Sequence, residues 1–179
     1  MTSFWKENLN AGNYLLKYNI VMVQRKYLTK EEAYQKLKQY CSYQERSHHE
    51  AEQKLWELGI RKDDQQEIIA KLIEEDYLNE ERFAIQYAGG KFRMKSWGKK
   101  KISFGLKEKR VSEYCIKKAL SSIDEEDYLK TLQKIAEEKY DQLKNEQHLV
   151  RKRKTIDYLL QKGFESNLVF RQTQQLIDK

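Results

Sequence analysis

Apolar residues recur every three or four positions along most of the chain, in blocks bounded by capping signals. Thr29 and Glu32 have the spacing of a capping box, and Ala33, Leu37, Tyr40 and Cys41 follow on one helical face, which predicts a helix near 30–43. Ser47 and Glu50 repeat the signature before Ala51, Leu55 and Leu58, and Gly59 stands where a left-handed cap would end a short second helix. Asp64 with Glu67 predicts the opening of a third helix, carrying Ile68, Ile69, Leu72 and Ile73. A long helix then begins near Asn79 with Leu78, Phe83, Ala84 and Tyr87 as its buried stripe. Glycine weakens a helix interior by roughly 1 kcal/mol relative to alanine, so Gly89 and Gly90 predict a bend or an end inside GGKFRMKSWGKKK, residues 89–101. Ile102, Leu106 and Val111 mark another short helix and its exit, and SEYCIKKAL at 112–120 supplies the helix after it.

These triplets overlay. A shift of 51 places Ala51 on Ile102, Leu55 on Leu106, Gly59 on Arg110 and Ile60 on Val111; a further shift of 53 reaches Thr155, Leu159, Gly163 and Phe164. Each unit would be a long helix, a short helix, a turn holding one apolar residue (Ile60, Val111 or Phe164) and a third helix. The third unit opens at the capping pair Ser122 and Glu125, runs through Leu129, Leu132, Ile135 and Ala136, and ends with TIDYLLQKGF and NLVFRQTQQLI. The expectation is an all-α protein of tandem three-helix repeats, about three units over 29–76, 77–121 and 122–179, stacked as an elongated, curved helical solenoid. Three helices bury little alone, and stacking extends the core. The alternative is an ordinary helical domain whose helices have similar lengths.

Composition strengthens the helical reading. The 179 residues contain no proline and only seven glycines, which removes the main punctuation of all-β folds and long ordered loops. The most apolar early window, YLLKYNIVMV at 14–23, is interrupted by Lys17 and Asn19 and is too short to span a bilayer. No signal peptide is evident. Cys41 and Cys115 lie far apart without metal-ligand spacing, which fits half-buried side chains in a reducing cytoplasm. Residues 1–28 lie outside the repeat as an N-terminal extension, and Met22 fits as the natural start, with 1–21 then not native.

Charge singles out one segment. Residues 91–120 carry eleven Lys or Arg against Glu108 and Glu113, a local +9, while the rest of the chain is −2. A phosphate-cradling Walker loop needs GxxxxGK[ST] after a strand, and Gly98-Lys99-Lys100 has neither the hydroxyl nor the upstream glycine spacing. His48 and His49 are adjacent and diverge by about 100° on a helix, and His148 is isolated, so no metal site is expected. The acidic runs EED at 74–76 and DEED at 124–127 sit at helix ends, where solvation and the helix dipole account for them. The reading is a protein with no catalytic residues, no metal and no cofactor.

What remains is a cation-rich surface. Lys91, Arg93, Lys95, Lys99, Lys100 and Lys101 flank Phe92 and Trp97, and cations beside aromatic platforms suit a phosphate backbone. Alternatively, the two aromatics are core and the lysines only solvate a helix. RKRK at 151–154 opens the corresponding short helix of the third unit as a second basic cluster.

YLNEERFAIQY at 77–87, followed by Trp97-Gly98, Lys101-Ile102, Leu106-Lys107 and Lys109, is similar to the central motif of RecX regulatory proteins, and LLQKGF at 159–164 resembles the family's C-terminal arm. The resemblance covers roughly residues 30–178. Asn79-Glu80 departs from the usual paired aspartates, and Arg110 from the usual turn glycine. The resemblance implies a non-enzymatic, cytoplasmic modulator of RecA recombinase, a monomer that binds the RecA–DNA filament in its groove. It would restrain ATPase, strand exchange and co-protease activities. Arg82, Phe83 and Tyr87 match its central motif positions; Phe83 reads as core, and Arg82 either as a partner of Glu80 or Glu81 or as a surface contact. The expected partner or DNA contacts are Lys91, Arg93, Lys95, Lys99, Lys100, Lys101, Lys107, Lys109 and Arg110, with Arg151, Lys152 and Arg153 secondary. The competing readings are an autonomous helical nucleic-acid-binding protein and a protein adaptor that ignores nucleic acid.

Overall fold

The computed structural model describes residues 28–177; the expectations about Met22 and the residues before it lie outside that range. The described residues form nine α-helices and no strand. The first triplet is α1 (Lys30–Tyr43), α2 (His48–Glu57) and α3 (Lys62–Glu74); the second is α4 (Glu80–Lys95), α5 (Lys99–Glu108) and α6 (Glu113–Ser121). The third is α7 (Glu125–Gln142), α8 (His148–Lys162) and α9 (Ser166–Ile177). None of the described helices is long and apolar enough to cross a membrane.

Thr29 with Glu32 and Ser47 with Glu50 form reciprocal capping boxes, each satisfying two amides that the first helical turn leaves unpaired. Three other boundaries differ from expectation. Helix α3 starts at Lys62, not at Asp64: Asp64 lies in its first turn and pairs with Arg61 at 3.4 Å. Helix α7 is capped by the Asp124 side chain, whereas Ser122 ends α6. Gly89 and Gly90 neither bend nor end α4, which continues to Lys95 because Ala88 and Phe92 bury its inner face across the pair. Packing outweighs their low propensity.

The repeat is visible in hydrogen bonds. In all three units the amide five residues along closes on the equivalent carbonyl: Ile60 to Leu55 at 3.1 Å, Val111 to Leu106 at 3.1 Å and Phe164 to Leu159 at 3.3 Å. These are Schellman closures, and the residue before each apolar anchor is left-handed: Gly59 at φ 77°, Arg110 at 57° and Gly163 at 89°. Leu55, Leu106 and Leu159 are fully buried in their units, as are Ala51, Ile102 and Thr155 one turn earlier. Arg110 bears a steric cost that its two glycine counterparts avoid. Arg110→Gly is expected to raise unfolding stability by about 0.5–1 kcal/mol, part of the gain being offset by a freer unfolded chain. A lower denaturation midpoint in the variant would contradict this.

The buried side chains do not form one continuous core. Residues from Ala33 to Leu78 make one cluster, and residues from Phe83 to Val169 make another that runs through the second and third units together. The second and third units therefore share a core, and the first keeps its own. Polar groups span the gap between the clusters.

Candidate functional site: the basic surface of the central unit

The stretch 89–101 leaves α4 at Ser96, a left-handed residue at φ 50°, and enters α5 through Gly98. It is first of all a joint. The Gly98 amide donates to the Lys162 carbonyl at 2.8 Å, and the Lys100 amide to the Gly163 carbonyl at 3.0 Å, so two turns from different units are hydrogen-bonded main chain to main chain. A Cβ on Gly98 would lie 2.2 Å from the Gly163 carbonyl carbon and oxygen, which is why no larger residue fits. Tyr128, fully buried, packs its ring against Phe92 and Phe164 in tilted contacts, with centroids 5.8 Å and 5.0 Å away. Its hydroxyl accepts from the Lys99 amide at 2.9 Å and donates to Glu165 at 2.7 Å. Burial pushes this phenol far above its ordinary range, with Glu165 adding to the rise, so it stays a neutral donor.

Several expected contact residues have their charged groups occupied here. Lys99 pairs with Glu125 at 2.6 Å, and Lys101 donates to the Gln161 carbonyl at 3.1 Å. Trp97 is half-buried against the shared core, with the Lys91 and Lys101 ammonium groups 5.1 Å and 4.9 Å from its ring. The two readings of Trp97 are thus both partly realised: it packs inward and also carries cations on its faces. Lys91 also lies over Tyr87. Phe92 is core.

A second group of charges joins the first unit to the second. Arg82 pairs with Glu45 at 2.6 Å and with the Asp76 carboxylate at 3.0 Å, and donates to the Asp76 carbonyl at 2.8 Å. Its partners are therefore Glu45 and Asp76 from the preceding unit, not Glu80 or Glu81 on its own helix. Glu81 instead pairs with Lys118, and Glu80 accepts from Ser112. Lys109 pairs with Glu50 at 2.6 Å, its ammonium 6.0 Å from the Tyr87 ring. Burial alone would raise the Glu50 carboxyl, but Lys109 and the Ser47 amide outweigh it and hold it below its ordinary value. That pairing stabilises the joint above the ordinary carboxylate value and is lost as pH falls through the depressed one. Phe83 is core, as expected, and burial raises the phenol of half-buried Tyr87.

The remaining expected residues divide by exposure. Lys107 pairs with Glu113 at 2.8 Å on the surface. In the third unit Arg151 is held by the Tyr140 carbonyl at 2.6 Å and lies over that ring, Lys152 donates to Gln174 at 3.1 Å, and Arg153 lies 3.9 Å from Asp157, mostly exposed. Arg93, Lys95, Lys100 and Arg110 are exposed, and their charged groups have no hydrogen-bond or ion-pair partner among the described residues. The arrangement offers a set of unpaired cations around α4 and α5, on a frame fixed by other lysines. Charge counting along the sequence missed the frame: Tyr128, Glu165, Glu45 and Asp76 act through contacts distant in sequence. A tyrosine on the apolar stripe of α7 was the one local signal, since a buried phenol needs a polar partner.

Residues 79–120 match the model of the second three-helix domain of RecX, and residues 125–171 that of the third. The regulatory protein RecX of Clostridium perfringens strain 13 is 38% identical over 118 residues, which cover 65% of this chain and 55% of that protein. The chain belongs to the RecX family. RecX from Bacillus cytotoxicus is 27% identical over 139 residues, 78% of this chain and 52% of its own length, so the chain spans about half the length of these curated relatives. The crystal structure of RecX from Lactobacillus salivarius superimposes with a TM-score of 0.76 at 27% identity, covering 84% of this chain and 97% of that one. The all-α plan of tandem three-helix units is the RecX fold, and the Gly98–Gly163 joint falls between the two units that the RecX domain models match.

Proposed function

We propose that this chain is a non-enzymatic regulator that binds the RecA–DNA filament and restrains its ATPase, strand exchange and co-protease activity. The observation that carries the reading is its membership of the RecX family, through both the second and the third three-helix domains. The relatives named above are regulatory proteins. The unpaired cations Arg93, Lys95, Lys100 and Arg110 support a polyanionic partner, because exposed ammonium and guanidinium groups gain most from neutralising phosphates. The protein would act in the cytoplasm, as a monomer, on RecA and on DNA reached directly or within the filament.

RecA ATPase on single-stranded DNA tests this, and unchanged hydrolysis and strand exchange at saturating protein would remove the claim. Reversing Lys99, Lys100 and Lys101 together would be a poor probe, since Lys99 and Lys101 hold the joint. The informative change is Lys95→Glu with Lys100→Glu. It is expected to weaken filament binding by roughly tenfold at physiological salt, to lower the salt dependence and to leave far-UV circular dichroism unchanged. Wild-type inhibition by the double variant would assign both lysines to solvation.

A further inference from the structure

The outer face of α5 carries an aromatic residue that the fold does not use. Ile102, Gly105 and Leu106 fill the inward positions of the helix, whereas Phe104, about 200° round from Ile102, is 63% exposed. The chain contains its own control for this position. At the repeat offsets of 51 and 53, the residues equivalent to Phe104 are Gln53 in α2 and Asp157 in α8, both polar. A unit of this fold is complete without an apolar side chain there, so the presence of Phe104 calls for a use outside the fold.

Its surroundings indicate the use. Lys100 lies one turn before Phe104 with an unpaired, exposed ammonium, and Lys107 lies one turn after it. The Lys107–Glu113 pair has side chains 55% and 66% exposed, a weakly held surface contact that a phosphate can replace. Lys101, three residues before Phe104, carries the ammonium that lies 4.9 Å from the Trp97 ring. Two aromatic planes and interleaved lysines thus follow one another from the start of α5 outward. An exposed phenylalanine whose neighbours one turn away are Lys100, Lys101 and Lys107, with Glu108 at the fourth position, suits a partner that offers a π face and a negative backbone together. Unpaired bases do this, whereas a duplex hides its base faces. An apolar protein pocket would gain from Phe104 but would have to desolvate the lysines around it.

We propose that Phe104 is a stacking platform for a base of single-stranded nucleic acid, with Lys100 and Lys107 on the adjoining phosphates. This rests on the regulatory reading above and specifies the strand, rather than the recombinase, as what α5 touches. The test uses the full chain, a labelled oligothymidylate and a duplex of equal length, followed by fluorescence anisotropy at two salt concentrations. Phe104→Ala is expected to weaken oligothymidylate binding by roughly 5- to 100-fold with an unchanged salt slope, and to affect duplex binding little. Lys100→Ala should lower the slope by about one. Phe104→Trp should keep the affinity and Phe104→Leu should not, because leucine retains apolar area but has no π face.

Oligothymidylate affinity unchanged by Phe104→Ala would overturn the proposal, as would wild-type affinity in Phe104→Leu or an equal loss on the duplex. Loss of binding to DNA-free RecA in Phe104→Ala, with oligothymidylate binding intact, would assign the face to protein. The oligonucleotide assay contains no recombinase, so its outcome is independent of the ATPase test of the regulatory reading.

Discussion

Gly98→Ala is expected to cost about 3 kcal/mol or more of unfolding stability and to uncouple the third unit from the second. The added methyl carbon would sit 2.2 Å from the Gly163 carbonyl carbon and oxygen and 2.3 Å from the Phe164 amide nitrogen. These are main-chain atoms, so no rotamer change relieves the overlap, and overpacking against a fixed backbone costs more than against a side chain. Relief requires the two turns to part. Parting them breaks the Gly98–Lys162 and Lys100–Gly163 hydrogen bonds and opens the tilted ring cluster of Phe92, Tyr128 and Phe164. Gly90→Ala is the matched control: its Cβ meets nothing within 4 Å inside α4, and it should stabilise by about 0.5–1 kcal/mol. Chemical denaturation of both variants checks the pair, and wild-type stability in Gly98→Ala would mean that the joint is looser than these distances require.

Arg82→Ala is expected to cost about 2 kcal/mol, by a different route. One guanidinium spans Glu45, the Asp76 carboxylate and the Asp76 carbonyl, and the Glu45 side chain is only 17% exposed, with its Oε2 otherwise unpartnered. Removing the cation leaves that carboxylate largely desolvated and unpaired, which costs more than the pair itself contributes. Arg82→Lys should recover little, because an ammonium cannot reach three acceptors in one plane as the fork does. Hydrogen exchange should place the loss around 45–48 and 76–82, with the Phe83–Val169 core protected as in the wild type. Full stability in Arg82→Lys would show that charge alone holds the first joint.

The contrast explains how much could be read in advance. Local features were legible: Thr29 and Ser47 cap as their spacing requires, and Ile60, Val111 and Phe164 anchor the turns that the overlay aligned. Such features depend on residues within six positions. Gly89 and Gly90 were misread because propensity is local, while the burial of Ala88 and Phe92 that keeps α4 intact comes from other helices. The basic surface was only partly legible for the same reason. Lys99 meets Glu125 across 26 positions, Lys109 meets Glu50 across 59 and Lys101 meets the Gln161 carbonyl across 60, so a run of lysines can be structural cement or a free surface with the same net charge. Phe104 was not singled out in the sequence, although its spacing puts it out of phase with Ile102 and Leu106; it gained meaning only once the inward positions were seen to be filled.

The two joints respond to different variables. Added salt screens the carboxylate pairs of Arg82 and Lys109 at the first joint and the single Lys99–Glu125 pair at the second, but has little hold on the ring contacts and main-chain hydrogen bonds that close the second. The first joint is therefore expected to loosen with ionic strength more than the second. High salt should accordingly weaken the hold on the first unit before it disturbs the frame under the basic face of α5.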